Sequence, residues 1–260
     1  MDRIREKRIF RISITVILIF LVCFIGNKHL RDNYLNPVST ALIRFSSSVR
    51  HKLFYSVYEI DEFYDIEYSI DGHYAVRLYI PESSDNYFFL EYNHFGWLIA
   101  DGYEYQVEKK QNTANRLHHE YVNAVFGRLK SDSLYWDKIS FSGGLYYYGE
   151  FPYIDELELD REFELEDLGW FGKKMGELSV TVYTSSKEEV TVERMAEALI
   201  HLRETLEKDS LRFCSIDFEL APPSNKKGER LKVTDFLYED IYEEDLVERL
   251  NEALSSHANI

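Results

Sequence analysis

Cysteine is nearly missing from this chain. Only Cys23 and Cys214 occur, one inside an apolar run and the other far downstream, so no intrachain disulfide framework holds the fold. The motifs of several common chemistries are missing as well. There is no G-x-S-x-G nucleophile elbow, no H-E-x-x-H zinc helix, no phosphate-cradling glycine loop and no cysteine pair at zinc spacing. Positive charge is scarce, with 30 Lys and Arg against 46 Asp and Glu and a formal net charge of −16. Residues 1–31 hold seven Lys and Arg against Asp2 and Glu6, a surplus of five positive charges that leaves −21 on the remainder. A surface that acidic repels nucleic acid, and no concentrated basic patch offsets it, so no nucleic-acid partner is expected.

What is present, and dominates the compartment argument, is one apolar run near the N-terminus, IFRISITVILIFLVCFIG over residues 9–26. Ile12 to Gly26 contains no charge, and about 18–20 residues at 1.5 Å rise cross a hydrocarbon core. Arg11 lies near the end of the run, where its stem can rest in lipid while its guanidinium reaches the head groups. The expectation is a cytoplasmic basic tail over residues 1–8 and a transmembrane helix over residues 9–27. No A-x-A-like site follows the run, and Cys23 is preceded by Phe20-Leu21-Val22 rather than by a lipidation pattern, so Cys23 reads as a lipid-compatible core residue. Arg3, Arg5, Lys7, Arg8 and Arg11 before the run outnumber Lys28 and Arg31 after it. That bias places the N-terminus in the cytoplasm and the C-terminal part outside, as a single-pass protein of the cell membrane.

The remaining residues suffice for one large or two small domains. Twenty Tyr and seventeen Phe favour sheet. Asn36-Pro37 opens a helix whose Val38, Leu42, Phe45, Val49 and Leu53 recur as one apolar stripe. Extended runs at residues 58–69, 74–80, 87–92 and 97–107 are separated by turn clusters and read as a four-stranded antiparallel meander. A second helix over residues 112–129 carries the stripe Leu117, Tyr121, Val125 and Leu129. These elements make a first helix-on-sheet unit, residues 36–130. Residues 131–168 read as a connector open to edge strands, because Leu157, Leu159, Phe163 and Leu165 alternate with carboxylates. A second unit, residues 169–260, follows as strand 177–184, helix 191–208, strand 211–220, strand 231–238 and helix 243–255. Val192, Met195, Leu199, Leu202 and Leu206 form the buried stripe of its first helix, capped by Thr191. The fold class expected is α+β, a transmembrane helix followed by two helix-on-antiparallel-sheet units.

Asn36-Pro37-Val-Ser after a single apolar span, Asn112-Thr113-x-x-Arg116-Leu117-x-x-Glu120, Lys174-Met-Gly176-Glu-Leu-Ser-Val and DFLYEDIYEEDLVERL from Asp235 to Leu250 together resemble the YfjL-like proteins. These are bacterial single-span surface proteins of unknown function. The resemblance implies a two-unit exterior part and supplies no catalytic residues. The first unit is also similar to the small modules of PepSY or cystatin type, by fold-level analogy alone.

The charged clusters have bland readings beside sharp ones. His118 and His119 are sequence neighbours on a helix, about 100 degrees apart, and cannot easily share an ion. Glu239, Asp240, Glu243, Glu244 and Asp245 gather where a strand passes into a helix, and carboxylates in such number suit calcium. The EF-hand glycine pattern is absent, however, and acids at a helix start are explained by its dipole. Cys214 reads as a packed strand residue, with His201 the only histidine in the same unit apart from the tail His257. The leading expectation is a non-enzymatic surface module, without cofactor, that binds another envelope protein, a peptide or the cell wall. A calcium-responsive envelope protein using residues 239–245 is the alternative, and an enzyme built on Cys214 and His201 comes third.

Overall fold

The computed structural model describes residues 36–61, 67–68, 73–131, 139–147, 151–184, 189–223, 228–242 and 244–257. The expected anchor at residues 9–27 lies outside the described residues. Among those described, no helix is long and apolar enough to cross a membrane. The chain divides into two compact units at Lys109/Lys110.

In the first unit, helix α1 (Asn36–Phe54) precedes the short strands β1 (Glu59–Ile60) and β2 (Glu67–Tyr68). Strands β3 (Tyr74–Tyr79), β4 (Tyr87–Tyr92) and β5 (Leu98–Asp101) follow. The sheet order is β1-β3-β4-β5, with β2 also pairing β3, and every pairing is antiparallel. Strict alternation makes it two-faced: Tyr74, Val76, Leu78, Phe88, Leu90 and Tyr92 point into the core, while Arg77, Tyr87, Phe89 and Glu91 point the other way. The run 97–107 is a strand only to Asp101, after which Glu104–Glu108 turns as one π-helical turn.

α1 corrects the sequence reading. Its core contact is Ile43, flanked by the buried Ser39 and Ser47. The expected stripe of Val38, Leu42, Phe45, Val49 and Leu53 is 41–71% exposed. Small serines let the backbone of α1 approach the sheet on the neighbouring strip, and Asp101 at the end of β5 fixes that choice. Its carboxylate accepts from Arg50 Nε at 3.1 Å and Tyr55 Oη at 2.7 Å. Tyr55, Tyr58, Phe88 and Tyr103 then close the end of the core with edge-on ring contacts, Tyr55–Phe88 at 4.7 Å and Tyr58–Phe88 at 5.0 Å.

The second unit contains α2 (Gln111–Ser131), β6 (Ile139–Leu145), α3 (Leu165–Met175), β7 (Gly176–Tyr183), α4 (Val192–Glu207), β8 (Ser215–Ala221), β9 (Leu231–Leu237) and α5 (Leu246–His257). Its sheet runs β6-β7-β8-β9. β7 and β8 are parallel, because helix α4 intervenes as a crossover, whereas β6–β7 and β8–β9 are antiparallel. The all-antiparallel expectation is therefore corrected at the central pair. α2 also belongs here rather than with the first unit: Leu117, Tyr121, Val125 and Leu129 are buried as expected, but in the core shared with α3, α4 and the second sheet. Within the stretch read as a connector, β6 joins this sheet as an edge strand and residues 165–175 form a helix.

α3 packs without bulk along one side. A Cβ on Gly169 would lie 2.0 Å from the Ser210 carbonyl oxygen, one on Gly172 2.1 Å from that of Arg212, and one on Gly176 2.6 Å from Tyr121 Oη. That hydroxyl donates to the Arg212 carbonyl at 2.9 Å, so a helix, a loop and the α2 tyrosine meet at backbone distance. α4 opens on Thr191, whose hydroxyl accepts the Arg194 N–H, and its Met195, Leu199, Leu202 and Leu206 are buried.

Two substitutions test this packing. Leu199→Ala should lower unfolding free energy by about 2–5 kcal/mol through lost burial and a cavity, while the exposed Glu197→Ala should change it by less than about 0.5 kcal/mol. Gly172→Ala should cost about 1–3 kcal/mol by overpacking, although alanine is the better helix former. Urea midpoints of the purified variants beside the parent decide; an unshifted Leu199→Ala midpoint would remove α4 from the core.

Candidate functional site

Four of the five carboxylates expected as a calcium site lie among the described residues, and Glu243 lies outside them. The structure does not gather the four around one point. Glu239 turns to Lys173 Nζ at 2.8 Å, while Asp240 and Asp245 share the guanidinium of Arg249, each at 3.1 Å. Glu244 is exposed. Among the described residues, no group of three or more His, Cys, Asp or Glu side chains is placed to hold a metal ion. The cations that answer these acids come from α3 and from one turn into α5.

The segment Tyr238–Tyr242, a 3-10 turn between β9 and α5, is held by a second polar knot. Glu207 at the end of α4 accepts from Tyr238 Oη at 2.6 Å and Tyr242 Oη at 2.7 Å. The Arg203 guanidinium stacks 3.3 Å from the Tyr242 ring centre and 4.2 Å from that of Tyr238, and it donates to the Tyr238 carbonyl. Burial opposes the charge on Glu207, yet the two phenols and Arg203 outweigh it and hold the carboxyl below its ordinary range. Partial burial and the bond to Glu207 push Tyr242 up to about 12.

The two residues of the enzyme reading sit on different elements. Cys214 is a half-buried free thiol at the head of β8, where its N–H donates to the Gly176 carbonyl at 2.7 Å. His201 Nε2 lies 3.4 Å from Thr205 Oγ1 on its own helix. Of the adjacent pair, His119 is exposed and His118 turns inward to take the Leu145 N–H on Nδ1 at 3.2 Å, resting over Gly144.

A different surface, which sequence reasoning missed, is the face of the second sheet that no described helix of its own unit covers. The four described helices of the unit contribute to the core that Leu178, Val180, Ile216 and Phe218 enter from the sheet, and Ser142, Tyr146, Glu177, Ser179, Ser215, Asp217 and Asp235 line a shallow, open hollow of about 210 Å³. A β-bulge shapes it. Ile216 pairs with Phe236 but Phe218 with Val233, so Thr234 and Asp235 together oppose Asp217. Asp235 takes a left-handed φ of 53°, and its N–H, turned off the ladder, donates to Asp217 Oδ1 at 3.0 Å. The bulge thus sets two carboxylates side by side while returning Phe236 to the core. The signal was present in the broken alternation of Val233-Thr-Asp-Phe236, where two residues instead of one separate the buried pair.

The Glu207 knot predicts a pH dependence. With its folded pKa depressed, Glu207 adds stability that is present above the unfolded carboxylate value, about 4.3, and lost as pH falls through the lower folded value. Melting temperatures measured from neutral to strongly acidic pH should fall less steeply for Glu207→Gln than for the parent, from a lower neutral plateau. Parallel acid limbs would show that the carboxylate gains nothing from its partners.

The model of the YfjL-like C-terminal domain matches residues 150–251, a stretch that holds α3, β7, α4, β8, β9 and the start of α5 but not α2 or β6. No curated protein and no solved structure matches the chain, so the likeness of the first unit to PepSY or cystatin modules rests on analogy alone. The motifs at Lys174–Val180 and Asp235–Leu250 fall inside the matched stretch, at the α3–β7 junction and from β9 into α5, so the resemblance read from the sequence is supported there: residues 150–251 match the YfjL-like C-terminal domain.

Proposed function

We propose that this protein is a single-span, membrane-anchored protein with its N-terminus in the cytoplasm and its two units outside. It works as a non-enzymatic binding module whose binding face is the open side of the second sheet. The anchor reading is supported by the uncharged run Ile12–Gly26 and by the excess of Arg and Lys before it. The observation that carries the binding reading is the hollow on β6-β7-β8-β9, lined by Glu177, Asp217 and Asp235 among three serine hydroxyls. Carboxylates and hydroxyls at an open sheet face suit a basic stretch of another envelope protein or of a peptide, since both rim charge and hydrogen-bond acceptors favour ammonium and guanidinium donors.

A reporter fused after Ile260 should be active outside the cytoplasm; activity only inside overturns the orientation. A lysine-rich peptide titrated onto the purified protein should bind, and Glu177→Gln and Asp235→Asn should each weaken it by the effect of one exposed ion pair, about 0.2–1 kcal/mol. Added salt should weaken binding to the parent more than to the double variant. A peptide that binds the double variant as well as the parent sits elsewhere, and the hollow then loses its role.

A further inference from the structure

We infer that the exposed apolar face of α1, with Phe95 and Trp97 of the β4–β5 hairpin, is a lipid-contact face that lies in the head-group region of the bilayer and holds the first unit against the membrane. The inference rests on the anchor reading, and it concerns a surface separate from the hollow of the second unit.

Three observations carry it. The first is geometric. Val38, Leu42, Phe45, Val49 and Leu53 form one helical stripe with none less than 41% exposed, and Phe95 and Trp97 are 65% and 71% exposed. The hairpin sits on the helix beside this stripe: a Cβ on Gly96, whose φ is +73°, would lie 3.1 Å from the Leu42 carbonyl group and 3.1 Å from Ser46 Oγ. Asn93 Oδ1 accepts the N–H groups of Phe95 and Trp97 and so fixes the turn that presents both rings. Seven large apolar side chains on one side of a small unit exceed the scattered exposure of ordinary surfaces.

The second is charge. Residues 36–54 contain no Asp or Glu but do contain Arg44, Arg50, His51 and Lys52, in a chain of net charge −16. Arg50 is committed to Asp101, while Arg44 and Lys52 are exposed. An apolar stripe bordered by basic residues, with tryptophan at its edge, is the pattern of a helix that lies in the interface plane of an anionic bilayer. A second copy of the chain is disfavoured as occupant, since a two-fold contact would set the same basic helices face to face.

The third is reach. Only residues 27–35 separate the apolar run from α1, and that many residues extend at most about 30 Å. Once residues 9–26 sit in the bilayer, α1 cannot leave the neighbourhood of the surface, and the cost of finding the membrane is already met.

The test uses the full chain in vesicles of phosphatidylcholine and phosphatidylglycerol. In a Cys23→Ser, Cys214→Ser background, Phe45→Cys or Leu53→Cys carries an environment-sensitive fluorophore. Ile19→Cys reports on the anchor, and Glu91→Cys, on the sheet face turned away from α1, reports on water. Phe45 and Leu53 are exposed, so their replacement leaves the core intact. The expected result is blue-shifted emission at 45 and 53, lost for the most part when spin-labelled lipid is added, with no such loss at 91. Arg44→Glu with Lys52→Glu should reduce the quenching at 45. Strong quenching at 19 with none at 45 and 53 overturns this inference while leaving the anchor in place. Blue-shifted emission at 45 that lipid fails to quench means that protein covers the face, and overturns it too. No quenching at 19 removes the anchor reading and this inference with it.

Discussion

The second unit depends on one steric constraint, the approach of α3 to the Ser210–Arg212 backbone and to Tyr121. Glycine at 169, 172 and 176 is the condition for it, since each Cβ would sit inside a neighbouring atom. With α3 that close, Tyr121 reaches the Arg212 carbonyl and draws α2 into the core. The same approach brings Gly176 alongside Cys214, whose N–H bonds its carbonyl and starts the parallel β7–β8 pairing. A residue of normal size anywhere on that side of α3 would hold the helix away and loosen the tie between α2 and the sheet.

Much of this was legible in the sequence, and where it was not the reasons are physical. The stripes of α2 and α4 were legible because a helix that packs by a wide apolar face must repeat at three and four residues. The partner of α2 was not, because periodicity tells which side is buried and not what buries it. α1 has two apolar strips, and the one with Ile43 between small serines won through the Arg50–Asp101 ion pair, a contact of residues 51 apart that no local pattern reveals. α3 was hidden by its glycines, which lower helix propensity, though Glu164 followed by Asp167 marks its start: the Asp167 carboxylate accepts the Glu164 N–H. The carboxylates at 239–245 looked like a cation site because Lys173, distant in sequence, and Arg249 became neighbours only on folding.

The molecule separates its chemistry by unit. The first carries its exposed apolar surface on a helix free of acids. The second carries acids on one face of its sheet and pairs Glu239, Asp240 and Asp245, near α5, with lysine and arginine at the surface. Tyrosines donate to carboxylates in both: Tyr238 and Tyr242 serve Glu207 as Tyr55 serves Asp101. In each unit a carboxylate near an element end collects a guanidinium and at least one phenol, which hold its pKa below the ordinary range although it is partly buried.

The parallel pairing of β7 with β8 has a consequence for the time at which this unit can form. Two antiparallel neighbours can zip from a tight turn, but β7 must wait until α4 has been made and has folded back before β8 can lie beside it. β9 closes the far edge of the sheet and comes later still. A chain that emerges from its N-terminus therefore holds the apolar side of α2 uncovered until β6, α3 and α4, which pack on it, have been made. A chain that stops short of β9 leaves the β8 edge without its partner strand, and an unpaired strand edge is a template for aggregation.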